Sequence, residues 1–293
     1  MTLDPAATYA AIRSGVTARR SSRDVVSVTG PDARSYLQGQ CSQDLDALVA
    51  GESAESLVLS PQGKLDAFVS VLAQGDESFL LVVAGGFGEA LLERLARFKL
   101  RVKAELSLET VPVVELRGPQ AAPLAGAPAL RVEWPGYAGW DLLGTAELPE
   151  GVNEGAPEAF EAARIEAGLP EMGSELDEAT IPPEAGIVAR SVSFTKGCFT
   201  GQELVARLDA RGNRTPRNLR ALLLPAGASA PPGTELFAGD KVVGRLTSVA
   251  ARPDGALVAL GYLRREVVPP AEVAVGAPGA ALTAEVRELP LAG

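Results

Sequence analysis

The stretch Lys196-Gly197-Cys198-Phe199-Thr200-Gly201-Gln202-Glu203 puts a thiol, an ammonium and a helix start side by side. Cys198 is one of two cysteines in the chain; the other is Cys41. Thr200 and Glu203 have capping-box spacing, which predicts a helix N-terminus just after the thiol. Leu204, Val205 and Leu208 supply its apolar face, and Gly212-Asn213 its stop. A thiolate is favoured at a helix N-terminus, more so beside a cation such as Lys196 or Arg207. The competing reading is an inert cysteine packed beside a tight turn.

The chain contains no histidine. That removes Ser-His-Asp and Cys-His pairs, histidine-ligated metals and histidine bases. Chemistry falls to carboxylates, Cys, Lys, Arg, Tyr or a bound cofactor. A helix predicted over 157–167 carries Arg164 and Glu166 in its last turn. Arginine suits a helix C-terminus and glutamate does not. Glu166 therefore has another reason to be there, or it is a solvated surface residue. Asp66 lies just past the turn Pro61-Gln62-Gly63-Lys64, sharing a strand face with Phe68. An acidic, proline-stiffened loop at 171–191 leads into the Cys198 segment.

With 293 residues, 46% hydrophobic and 22% charged, the chain is globular and long enough for two or three domains. A net charge of −10 argues against broad nucleic-acid binding. Two cysteines make no disulfide framework and no metal-cluster spacing, which fits a reducing cytoplasm. The N-terminus lacks the apolar core of a secretory leader, and no apolar run approaches a membrane span.

The elements that must position these groups are α+β. A strand is predicted over 24–29, then a short helix from Pro31 to Gly39. Strands 57–60, 65–73 and 78–84 form a meander, followed by a helix over 87–99. Strands at 111–116, 130–134 and 140–143 precede the 157–167 helix. From Asn218 onward the pattern is all short strands, as in a small barrel burying Leu222, Leu224, Val243, Leu246, Leu257 and Leu260. The division expected is 1–110, an N-terminal α+β domain; 111–213, a central α+β domain holding the cysteine motif; and 214–293, a C-terminal β-barrel.

Several segments together resemble one family. Gly30-Pro31-Asp32-Ala33 with Leu37-Gln38-Gly39-Gln40 is similar to the opening motif of the folate-binding YgfZ proteins. Arg164-Ile165-Glu166-Ala167-Gly168 resembles the Arg-x-Glu-x-Gly motif shared with the T-protein (GcvT, aminomethyltransferase) of the glycine cleavage system. Lys196 to Glu203 matches the YgfZ signature Lys-Gly-Cys-aromatic-x-Gly-Gln-Glu, whose cysteine the T-protein branch lacks. Val243-Gly244, Thr247-Ser248 and Ala259-Leu260-Gly261-Tyr262 resemble the shared C-terminal barrel.

The resemblance implies a GcvT-like, three-domain cloverleaf that binds tetrahydrofolate in a central channel. It implies a role in making or repairing iron–sulfur clusters in client proteins, including radical enzymes that modify tRNA. No cluster held stably on the chain, no direct nucleic-acid partner and no membrane are expected. Cys198 and Lys196 are the candidate chemical pair, and Glu166, Arg164, Gln202, Arg207 and Asp66 the candidate folate contacts. T-proteins place an Asp pair on a strand beside the folate; an ungapped reading puts Ala67 and Phe68 there. Two alternatives stay open: a folate-dependent aminomethyltransferase or demethylase, and a non-catalytic folate-binding scaffold that docks clients.

Overall fold

The structure is a computed structural model that describes residues 2–124 and 126–291. Helix α1 (Pro5–Ser14) opens the chain, with the Asp4 side chain accepting from the Ala7 N–H at its N-terminus. Strand β1 (Thr17–Thr29) follows, then α2 (Ala33–Gln40) and the meander β2 (Ser53–Leu59), β3 (Leu65–Gly75) and β4 (Ser78–Ala84). Helix α3 (Gly88–Arg97) leads to β5 (Glu105–Arg117), β6 (Ala129–Val132) and β7 (Gly139–Leu143). These strands make one antiparallel sheet of seven in the order β2-β3-β4-β1-β5-β7-β6. Strand β5 runs without a break through residues 110 and 111, where the sequence pattern changes character.

The sheet has two unlike faces. Val26, Val28, Ala67, Val69 and Val71 pack under α2 and α3. Val25, Leu72, Val82, Val113, Leu130 and Leu143 line the other face, which is concave. The curl brings edge strand β6 to edge strand β2, where the Arg131 N–H donates to Ser53 Oγ at 3.3 Å. Just beyond β6, Trp134 Nε1 donates to Glu55 Oε1 at 2.7 Å. Side chains, not a main-chain ladder, close this seam. Gly139 pairs with Arg117 at the start of β7. A Cβ on Gly139 would lie 1.9 Å from the Leu116 carbonyl oxygen, so only glycine lets the two strands meet.

Helix α4 (Pro157–Ala167) ends at Gly168, which adopts the left-handed conformation at φ 75°. A 3-10 turn (Pro182–Ala185), α5 (Val188–Ser191) and α6 (Gln202–Asp209) follow. Strands β8 (Arg217–Leu224), β9 (Glu235–Ala238), β10 (Lys241–Ala251), β11 (Leu257–Arg264), β12 (Ala271–Val275) and β13 (Thr283–Arg287) close a six-stranded antiparallel barrel. Its interior holds Leu222, Leu224, Val243 and Leu246, with Leu257 partly buried beside them. Leu260 is buried too, on the barrel's outer face with Val258 and Tyr262, in the cluster that includes Ile165. Strand alternation sends 257, 259 and 263 inward and 258, 260 and 262 toward α4. Leu222→Ala should cost about 2–5 kcal/mol by opening a cavity in the barrel, read as a lower urea midpoint.

Candidate functional site

The Cys198 loop is pinned at both ends. Ser193 N–H donates to the Ser42 carbonyl at 3.0 Å, and Thr200 N–H to the Gly39 carbonyl at 3.1 Å. Between them Lys196 Nζ donates to the carbonyls of Gln38, Cys41 and Gln43 at 2.7, 2.8 and 2.8 Å. These oxygens lie at the C-terminus of α2, where a cation is favoured. Phe199 is buried beneath the loop, while Cys198 and Phe194 are exposed. Lys196 therefore does not serve Cys198 as its cation. Its ammonium is spent on backbone carbonyls, and burial pushes its pKa down.

The capping box is also corrected. Helix α6 begins at Gln202 with Gly201 as its N-cap at φ 80° and no side-chain cap. Thr200 Oγ1 reaches the Gly39 carbonyl at 3.5 Å instead. A Cβ on Gly201 would sit 2.4 Å from the Ser60 carbonyl oxygen, so this turn is packed directly on the β2–β3 turn. Gln202 Oε1 accepts from the Phe199 N–H at 3.2 Å and so closes the loop locally. Arg207 is exposed in the last turn of α6.

On α4, Arg164 and Glu166 are both buried. Arg164 donates to Glu161, to the Leu169 carbonyl at 2.6 Å and to Ser248 Oγ at 2.8 Å, and lies 3.3 Å from Glu175 Oε2. Ser248 Oγ in turn donates to Glu175 Oε1 at 2.6 Å. One guanidinium thus ties α4, the acidic loop and barrel strand β10. The loop is acidic because it packs on arginines: buried Glu184 pairs with Arg217 at 2.9 Å. Glu166 lines a groove of about 570 Å³ with Tyr9, Arg13 and Arg252, and only its Oε2 accepts hydrogen bonds. Tyr9 Oη and Arg13 donate to Oε2, and Arg252 Nε lies 3.1 Å from Oε1. Asp66 is paired with Arg94 at 2.8 Å.

None of the candidate chemical or folate-contact residues named from sequence lines the cavity inside the curled sheet. This cavity, about 200 Å³, takes a residue from each strand: Arg23, Glu55, Phe68, Val82, Arg117, Leu130 and Asp141. Trp134 and Leu169 to Met172 complete it. Arg164 acts on it at one remove, by holding the Leu169 carbonyl at its edge. An outer groove of about 520 Å³ shares Glu55 and Ser70 with it.

Beside the inner cavity runs a charged row across three strands, Arg19 opposite Glu115 and Glu115 opposite Asp141, of which Asp141 lines the cavity. Glu115 is fully buried and meets Arg19 and Arg23 at 2.8 Å and Arg117 at 3.5 Å. Burial alone would raise its carboxyl; the guanidiniums of Arg19, Arg117 and Arg23 hold it well below the usual carboxylate range. Arg117 Nη1 lies 2.7 Å from Asp141 Oδ1 but directs its N–H groups to the Leu116 and Trp140 carbonyls. Asp141 Oδ1 is thus buried with charge nearby and no aligned donor. The sequence signal for these groups was a charged residue inside an apolar strand, as in Trp140-Asp141-Leu142-Leu143.

No protein-family model matches the chain. It is 30% identical over 202 residues to an uncharacterized protein of Haemophilus influenzae, covering 68% of this chain and 69% of that one. It is 29% identical over 232 residues to the tRNA-modifying protein YgfZ of Edwardsiella ictaluri, covering 70% and 69%. With the mitochondrial iron–sulfur cluster assembly factor IBA57 of Mus musculus the identity is 29% over 284 residues, covering 85% and 78%. The glycine cleavage system aminomethyltransferase T of Bartonella henselae superposes with a TM-score of 0.82 at 21% identity, covering 98% of this chain and 89% of that one. The chain belongs to the YgfZ/GcvT-like superfamily. It has the GcvT-like α+β fold with a closed C-terminal barrel.

Within this superfamily fold the two thiols differ in surroundings. Cys41 is buried and its pKa is pushed up to about 11, chiefly by burial. Cys198 is exposed. Iodoacetamide at pH 7.5 should label Cys198 alone, with Cys41 reacting only in denaturant; equal labelling would show that the Cys41 environment opens readily. Lys196→Met should cost about 1.5–3 kcal/mol, since charged hydrogen bonds are lost, and should speed hydrogen exchange across 193–200. For Glu115 the folded pKa is depressed. Its contribution is complete above the unfolded carboxylate value of about 4.3 and is lost as pH falls below it. Glu115→Gln should cost about 3–5 kcal/mol at pH 7 by leaving buried arginines unpaired. It should also flatten the acid limb of the stability profile.

Proposed function

We propose that this chain is a tetrahydrofolate-binding factor that assists iron–sulfur cluster assembly or repair in client proteins, with Cys198 as its functional thiol. The observation that carries the reading is the exposed thiol on a doubly pinned loop whose sequence matches the YgfZ signature. The names of the YgfZ and IBA57 relatives, a tRNA-modifying protein and an iron–sulfur cluster assembly factor, support it. In this reading the first two segments, 1–110 and 111–213, share the curled sheet, and 214–293 is the barrel. A reducing cytoplasm suits two free cysteines. Among the described residues no helix is long and apolar enough to cross a membrane.

The cavity fits a pterin ring. A pterin presents an amide–amine edge of N–H donors, and the Asp141 carboxylate lines the cavity with no aligned donor on Oδ1. Trp134 and Phe68 offer flat apolar walls. At about 200 Å³ the cavity is smaller than the usual small-molecule pocket, so the rest of a folate would leave through the groove beyond Glu55. In this reading Asp141 meets the pterin edge, and Glu166, expected as a folate contact, lines a separate groove with Arg13 and Arg252. Arg164, Gln202 and Asp66 act on architecture in this reading, and Arg207 stays at the surface.

The aminomethyltransferase reading is less well supported. Phe68 lines the cavity where a T-protein carboxylate is expected, Ala67 points to the opposite face, and Asp66 is held by Arg94.

Trp134 and Trp140 are the two tryptophans of the chain, so a Trp140→Phe background reports on the cavity alone. Tetrahydrofolate should quench Trp134 saturably in this background and in its Cys198→Ala variant. Asp141→Asn should weaken binding by about 1.5–3 kcal/mol, roughly 10- to 150-fold. Delivery of a cluster to an apo iron–sulfur enzyme should need Cys198; delivery undiminished in Cys198→Ala would favour the non-catalytic scaffold. Absence of quenching in every variant would remove folate from the account.

A further inference from the structure

The segment Arg97-Phe98-Lys99-Leu100-Arg101-Val102-Lys103 alternates basic and apolar residues, with no acid, in a chain of net charge −10. It connects α3 to β5. Arg97, Arg101 and Lys103 are exposed and Lys99 is half-buried. The ion pair nearest in sequence is Arg94–Asp66, and none of the four cations has an acidic partner among the described residues. Leu100 is 82% exposed, the most exposed of the large hydrophobic residues, and Phe98 is exposed too, with the Arg94 guanidinium 4.0 Å from its ring.

The segment is anchored, not loose. Lys103 N–H donates to Asp32 Oδ2 at 2.8 Å, and Asp32 N–H returns a bond to the Lys103 carbonyl at 3.2 Å. Asp32 stands at the start of α2. The other end of α2 carries the carbonyls that hold Lys196 and the Cys198 loop. Eight helical residues separate the two loops by about 12 Å along the helix axis. That span is too wide for one small anion and narrow for a protein surface.

We infer that residues 97–103 form a docking surface for an acidic, leucine-bearing segment of a partner protein. Opposite charge gives the encounter its rate and register. Leu100 selects among polyanions. A phosphate backbone gives it no apolar contact, and the chain's overall negative charge opposes a nucleic acid or an anionic bilayer more than a short acidic segment. The inference requires neither folate binding nor reaction at Cys198.

The test uses the full-length chain and a fluorescein-labelled decapeptide with four glutamates and two leucines. The same peptide with glutamines, an oligouridylate and phosphatidylserine vesicles are the comparisons. The acidic peptide should bind, weaken as salt rises, and slow hydrogen exchange in 98–104. Arg97→Glu with Arg101→Glu should weaken it at least about ten-fold. Leu100→Ser, at a site too exposed to unfold the chain, should weaken it several-fold at unchanged Tm. Equal binding of the glutamine peptide, indifference to Leu100→Ser, protection outside this segment, or tighter binding of oligouridylate or vesicles would each overturn the assignment.

Discussion

A carboxylate with no access to water sits at the middle of the curled sheet. Glu115 is ionised there only because Arg19, Arg23 and Arg117 converge on it. Removing one partner from such a group leaves charge stranded in a poor solvent. The geometry of β1, β5 and β7 is therefore constrained at a row of facing residues as well as by main-chain bonds. Arg117, shared between Glu115 and Asp141, carries the constraint to the cavity. The inner face of the sheet is consequently polar at Arg117 and Asp141 and apolar on its walls, which suits a flat ring with a hydrogen-bonding edge.

The family-like motifs serve largely as architecture. Arg164 reaches the acidic loop and the barrel from one helix turn, and Glu166 gathers α1 and β10 through Arg13 and Arg252. Lys196 ties the thiol loop to the end of α2. Each is a long-range tie made by one charged side chain with several partners, and such hubs are costly to lose because every partner is left unsatisfied. Together they tie the sheet, the helix layer and the barrel to one another, and none of them lines the cavity inside the sheet.

The cavity and the thiol occupy different places. Neither Cys198 nor Lys196 lines the space inside the sheet. A ligand there and a partner at the loop can therefore be held at once, linked through the α2 end, the β2–β3 turn on which Gly201 packs, and Arg190, which pairs with cavity-lining Glu55. The fold is shared with an aminomethyltransferase, and the strand after the Pro61–Lys64 turn puts the Phe68 ring into the cavity.

Local pattern carried the fold class, the meander, the α4 helix with its Gly168 stop and the strand-rich C-terminus. Those features depend on alternation, helical period and turn residues, which are properties of neighbours in sequence. The electrostatics of the site was not legible in this way. Whether Lys196 faces its near neighbour Cys198 or the distant Gln38, and whether Glu166 keeps an oxygen free, depends on groups more than a hundred residues away. The curl that turns Glu55, Asp141 and Phe68 toward one space likewise exists only after strands far apart in the chain have paired. Sequence determined which segments form helices and strands; tertiary structure alone decided which charges meet, because a charge's partner is set by distance in space, where desolvation and Coulomb energy act.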